Sequence, residues 1–263
     1  MKVTILGTGT SVGVPRIGCA CPVCKSEDPH NKRLRCSVLL EYANGAEEVV
    51  VLIDTTPDLR TQALRYEVNR LDAVLFTHGH ADHLHGLDDV RCFCFDRDQP
   101  LPCYGNERTV NRIKHVFDYA FDSAYPQSVP QLSVHPIDEN VEFDLLGLCV
   151  QPITVMHGKM PVLAFRMGDF AYVTDCSMIP DASMDRLRGV DTLVLDALRL
   201  AEHPTHFNIA QALDAVARIK PRRTFFTHVA HDLDHQTTND ALPNDVELAY
   251  DGLVLEVDEG QGG

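Results

Sequence analysis

The residues best equipped for chemistry sit in one stretch, Thr77-His78-Gly79-His80-Ala81-Asp82-His83-Leu84-His85-Gly86. Positions 78 to 83 pack three imidazoles and a carboxylate into six residues. One turn can then aim nitrogen and oxygen donors at adjacent cations, and such donors suit zinc, manganese and iron alike. A second cluster, Cys19-Ala20-Cys21-Pro22-Val23-Cys24, holds three of the nine cysteines. In a chain whose start lacks a signal-peptide pattern, such crowding reads as metal binding ahead of disulfides. Three thiolates leave a closed tetrahedral zinc site one ligand short, and His231, three residues after His228, is the expected fourth.

These groups need a rigid scaffold. Short β-branched runs at 3–6, 36–42, 48–53, 73–77, 148–155, 162–167, 170–174, 192–196, 224–227 and 246–257 read as strands. Segments 57–66, 107–121 and 209–219 have the apolar spacing of amphipathic helices, the last with Asn208 as its N-cap. Interleaved strands and helices give an α/β chain, with two sheets packed face to face and covered by helices. Several strands end in a polar ligand type: Asp54, His78, His157, Asp175, Asp196 and His228. That pattern points to one shared site at the sheet edges, with Asp54 orienting one of the ligand histidines from behind. We expect one domain over 1–258 and a flexible tail over 259–263.

Composition narrows the partners. With 263 residues, 44% of them hydrophobic and 23% charged, the chain can bury a full core without disulfides. Lys and Arg total 23 against 38 Asp and Glu, a formal charge of −15. A long nucleic acid would be repelled, because its binding is driven by basic surface that releases counterions. The short basic cluster Lys32, Arg33, Arg35 reads either as a solvated loop or, through Arg33 and Arg35, as a grip on a substrate phosphate. No apolar run reaches the length of a membrane span, so a cytoplasmic location is expected.

The His78-x-His80-x-Asp82-His83 arrangement resembles the metallo-β-lactamase superfamily. That resemblance implies a four-layer αββα sandwich of two mixed β-sheets flanked by helices, and it specifies further ligands in order. His157 would join His78 and His80 at one metal. Asp175 would bridge the two metals, and His228 would join Asp82, His83 and Asp175 at the second.

Closer resemblance is to the phosphodiesterases of the carbon-phosphorus lyase pathway. It rests on the Gly18-Cys19-x-Cys21-x-x-Cys24 run with the late Thr227-His228-x-x-His231 segment, on the opening 7–15, and on 33–37, 239–244 and 250–252. The family implies two catalytic divalent metals, Zn2+ or Mn2+, and one structural Zn2+ held by Cys19, Cys21, Cys24 and His231. It also implies hydrolysis of a small cyclic phosphodiester, such as 5-phosphoribosyl 1,2-cyclic phosphate to ribose 1,5-bisphosphate, by a metal-bridging hydroxide. His206 falls where the family has a histidine contacting the scissile phosphate; with Asp82 it completes the expected catalytic set. Arg91 and Lys159 are further candidate phosphate contacts. Segment 87–92 differs from the pathway enzymes and resembles a broader group of hydrolases. Rival readings are a ribonuclease Z-like or small-oligonucleotide nuclease, and a non-hydrolytic metal-binding protein like the superfamily member of pyrroloquinoline quinone synthesis. A homodimer stays open.

Overall fold

The computed structural model describes residues 1–95, 97–122 and 129–258. Fourteen strands form two sheets of seven. The first runs β14-β1-β2-β3-β4-β5-β6, built from β1 (Lys2–Gly7), β2 (Ser37–Asn44), β3 (Glu47–Ile53), β4 (Ala73–Leu75), β5 (Leu101–Gly105), β6 (Leu132–Pro136) and β14 (Val254–Glu256). The second runs β13-β12-β11-β10-β9-β8-β7, from β7 (Phe143–Leu145), β8 (Leu148–His157), β9 (Met160–Met167), β10 (Phe170–Val173), β11 (Thr192–Asp196), β12 (Arg223–Thr227) and β13 (Val246–Leu248). Both sheets are mixed: β1, β2 and β3 pair antiparallel and β3 to β6 parallel, while β7 to β10 pair antiparallel and β10 to β13 parallel.

The strands read as continuous apolar runs because both faces are covered. In β3, Val49, Val51 and Ile53 enter the core between the sheets, whereas Val50 and Leu52 enter the core under the helices of the first sheet. β11 divides likewise, Val194 facing the other sheet and Leu193 and Leu195 facing the helices. Those helices are α1 (Pro22–Lys25), α2 (Leu59–Arg65), α3 (Ala81–Leu84), α4 (Glu107–Val116), α5 (Asp181–Leu187), α6 (Ile209–Ile219) and α7 (His235–Asn239). The result is the four-layer αββα sandwich that the motif implied. Asn208 caps α6 as expected: its side chain accepts from the Gln211 amide at 2.8 Å, and the Gln211 side chain accepts from the Asn208 amide at 3.0 Å.

Some elements differ from the sequence reading. Strands β5, β6 and β7 and helix α5 were not expected; Pro102 and Gly105 in β5 break the β-branched pattern. The run 246–257 is two strands in different sheets, separated by a turn with Gly252 at φ 95°. Helix 107–121 stops at Val116, and a 3-10 turn, Asp118–Phe121, follows. The tail 259–263 lies outside the described residues. Among the described residues no helix is long and apolar enough to cross a membrane.

Candidate metal centre

The expected ligands converge where the strands end. Asp54 follows β3, the histidine motif follows β4 and enters α3, His157 ends β8, Asp175 follows β10, and His228 follows β12. Donor atoms of His78, His80, His157 and Asp175 lie within 4.8 Å of one another, and so do those of Asp82, His83, Asp175 and His228. Asp175 belongs to both groups. Its Oδ2 lies 3.7 Å from His78 Nε2 and 4.0 Å from His157 Nε2, while its Oδ1 lies 3.1 Å from His83 Nε2 and 3.5 Å from His228 Nε2.

The surroundings fix which ring nitrogens face the centre. Thr77 Oγ1 donates to Asp54 Oδ2 at 2.7 Å, so its oxygen is left to accept from His78 Nδ1 at 3.0 Å. His83 Nδ1 donates to the same Asp54 oxygen at 2.7 Å, and His157 Nδ1 donates to the Thr205 carbonyl at 2.7 Å. Each ring therefore turns a lone pair on Nε2 toward the centre. Asp54 does orient a histidine from behind, and the Thr77 amide, 2.8 Å from its Oδ1, completes its hold. The backbone is unusual here: Asp54, Asp175 and His228 are left-handed, at φ 63°, 52° and 59°. Such conformations in non-glycine residues collect at functional sites.

Electrostatics shows that the centre demands positive charge. Burial opposes a proton on His83, yet the carboxylates of Asp175, Asp82 and Asp54 overcome it and hold its pKa well above the ordinary value. Burial is likewise outweighed at His228, where Asp175 and Asp82 push the pKa up to about 9. Burial alone would raise Asp175, but His228, His83 and His78 hold it well below the usual carboxylate range. His80, the most exposed of these ligands, is still lowered mainly by desolvation, with His83 and Arg108 pushing the same way. Among the described residues, the buried Nε2 atoms of His78, His83 and His228 have no hydrogen-bond partner, a cost that metal coordination would remove. The donor set fits two divalent cations.

Behind His228 lies a further pair: His206 Nδ1 donates to Asp196 Oδ2 at 2.7 Å, and the Cys176 amide donates to the same oxygen at 2.6 Å. The His206 ring stacks on His228 with centroids 4.5 Å apart. Sequence reasoning named His206 and noted Asp196 at a strand end, but nothing local linked the two.

The cysteine cluster assembles separately. Cys19, Cys21, Cys24 and His231 bring donor atoms within 4.8 Å of one another, His231 Nδ1 lying 3.3 Å from Cys21 Sγ and 3.6 Å from Cys19 Sγ. Backbone amides already serve two sulfurs: Arg16 N donates to Cys24 Sγ at 3.3 Å and Cys24 N to Cys21 Sγ at 3.4 Å. Four protein donors leave no open position, the pattern of a structural rather than a catalytic zinc.

The anticipated phosphate contacts fare differently. Arg33 needs correction: only 2% exposed, it donates to Thr8 Oγ1 at 2.8 Å and the Ala249 carbonyl at 2.6 Å and meets His235 Nδ1 at 3.1 Å. It ties the early loop to the late one and is too deep to grip a substrate. Arg35 pairs with Asp58 at 2.8 Å, and Arg91 pairs with Asp88. Lys159 is exposed in the turn after His157.

This sandwich, with histidines and carboxylates converging at the strand ends, is the frame of the metallo-β-lactamase fold. A family described as "Beta-lactamase superfamily domain" matches residues 50–229. A crystal structure described as a new diphosphatase from the PhnP family is 47% identical, covers 97% of this chain and 96% of that one, and superposes with a TM-score of 0.90. Zn2+-bound PqqB from Methylobacterium extorquens, 20% identical with a TM-score of 0.76 over 98% of this chain and 100% of that one, shares the fold. An octanoyltransferase of Porphyromonas gingivalis is 37% identical over 262 residues, which are 98% of this chain and 52% of that protein. The chain thus spans about half the length of that relative. It belongs to the beta-lactamase superfamily and, within it, to the PhnP family.

Proposed function

We propose that the chain hydrolyses a small phosphodiester, first of all a cyclic ester such as 5-phosphoribosyl 1,2-cyclic phosphate, giving ribose 1,5-bisphosphate. The observation that carries this reading is the division of Asp175, one oxygen facing His78 and His157 and the other facing His83 and His228. His78, His80, His157 and Asp175 would hold one divalent cation, and Asp82, His83, His228 and Asp175 the other. Cations held by these residues would lower the pKa of a bound water toward neutrality and offset charge on the phosphoryl oxygens.

The chain's own groups do the rest. Asp54 and the Thr205 carbonyl keep His83 and His157 in the tautomer that presents Nε2. Asp196 holds the Nδ1 proton of His206, so His206 Nε2 can carry a second proton to the departing ester oxygen while the carboxylate stabilises the imidazolium. Asp82, less buried than its partners, lies on the solvent side, where substrate enters. The −15 charge disfavours long polyanions. The 47% identical relative described as a diphosphatase supports a second reading, cleavage of a diphosphate.

The test is turnover of the zinc-loaded and manganese-loaded chain on cyclic ribosyl phosphates, nucleotide 2′,3′-cyclic phosphates, nucleoside diphosphates, short RNA and a thioester. Thioester cleavage without phosphoester cleavage would sink the proposal, and a strong preference for the diphosphates would replace the first reading by the second.

A further inference from the structure

Next to the metal centre is a cavity of about 500 Å3. Its lining includes His78 and His80 of the motif, Arg108, Arg112 and His115 of α4, and Met160 with Pro161. Arg108, Arg112 and His115 recur at i, i+4 and i+7 along α4, so they share one helix face. Among the described residues no hydrogen bond or ion pair engages either guanidinium. Some other exposed arginines are paired with carboxylates, Arg222 with Asp191 and Arg70 with Asp72. In a chain of net charge −15, two unpaired guanidiniums beside a catalytic centre concentrate positive potential where an anion would enter.

Arg112 is also set against the motif itself. A Cβ added at Gly79 would lie 3.0 Å from Arg112 Cγ and 3.2 Å from its Cβ, so the arginine stem rests on the backbone between His78 and His80. Glycine at 79 is what lets it approach. The cavity is large enough for a sugar phosphate, and the Met160 and Pro161 wall suits the apolar face of a ribose.

We infer that Arg108 and Arg112, with His115, form an anion subsite that binds a second phosphoryl group of the substrate, one not being hydrolysed, and so select esters that carry a terminal phosphate. Arginine forks suit a phosphate dianion because each can donate two parallel charge-assisted hydrogen bonds. The inference rests on the phosphoryl-hydrolase reading for its substrate, but not for its binding test.

That test uses the metal-loaded chain and an Arg108→Gln/Arg112→Gln double variant, in which glutamine keeps the helix propensity and much of the stem packing on Gly79. Lys114→Gln, on the same helix but outside the cavity lining, controls for lost charge. Ribose 5-phosphate, titrated calorimetrically, should bind the double variant at least about tenfold more weakly. Lys114→Gln should stay within about twofold of the parent. In kinetics the double variant should lose about tenfold more kcat/KM on 5-phosphoribosyl 1,2-cyclic phosphate than on bis(4-nitrophenyl) phosphate, which carries no second phosphate. Unchanged ribose 5-phosphate affinity in the double variant, or an equal loss in Lys114→Gln, overturns the subsite. If the parent hydrolyses neither ester, the function proposed above fails, and the calorimetric contrast alone decides the subsite.

Discussion

His206 and Asp196 form a buried imidazole–carboxylate pair, Nδ1 to Oδ2 at 2.7 Å, with the Cys176 amide fixing the same carboxylate oxygen. The pair gives His206 a defined tautomer. His206→Ala should lower kcat by about 10²–10⁴-fold while both cations stay bound. The loss should shrink with a good leaving group such as 4-nitrophenolate, whose oxygen needs little protonation. Asp196→Asn should fall in the same direction. Equal losses across a leaving-group series would reject the acid role.

Asp175→Ala removes the oxygens facing both histidine groups, and His80→Ala removes an exposed donor from one. Both variants should keep the circular dichroism of the parent, bind fewer divalent cations by elemental analysis, and lose nearly all phosphoester turnover. A well-folded, cation-depleted variant with normal turnover is the result that contradicts the proposed centre.

Cysteines 19, 21 and 24 lie near the start of the chain and His231 near its end, so zinc held by them would cross-link distant segments. Cys21→Ser or His231→Ala should lower Tm, at about 2–4 °C per kcal/mol lost for a chain of this size. Mild chelation should leave the parent with about one zinc per chain, because a closed thiolate site exchanges least. Cys21→Ser keeping as much zinc would rule the site out.

His235 supplies a pH test away from the metal centre. Burial, reinforced by the adjoining Arg33 and by His30, lowers its pKa to about 4. The folded chain thus binds this proton less readily than the unfolded chain, whose histidine titrates near ~6.5. The contribution is present above the unfolded value and is lost as pH falls through the window toward about 4. The urea midpoint of the parent should drop more steeply between those values than that of His235→Asn, and NMR titration should place the ring's midpoint near 4. A midpoint at the unfolded value would contradict the buried Arg33 contact.

The centre was legible because its chemistry is dense in sequence: four donors within 78–83 admit few other uses, and the partner residues end apolar runs. Strands such as β3 and β11 were legible for the same reason that they are buried on both faces. What escaped was set by tertiary placement. Nothing near Arg33 shows that the Thr8 and Ala249 loops close over it. The run 246–257 is rich in apolar residues on both sides of Asp251-Gly252, and only the sheets reveal that it crosses from one to the other. Arg108, Arg112 and His115 look like an ordinary solvated helix face until α4 is laid beside Gly79, although their i, i+4, i+7 spacing was a signal in plain view.

The left-handed backbone at Asp54, Asp175 and His228 has an evolutionary side. Glycine would relax each position, by about 1–2 kcal/mol of backbone strain, and glycine can neither ligate a cation nor orient a histidine. Selection for stability alone would therefore wear the centre away at those three positions. Only selection on activity can retain an aspartate or a histidine there, so a lineage freed from catalysis should betray itself first by glycine or asparagine at 54, 175 or 228, well before its core begins to drift.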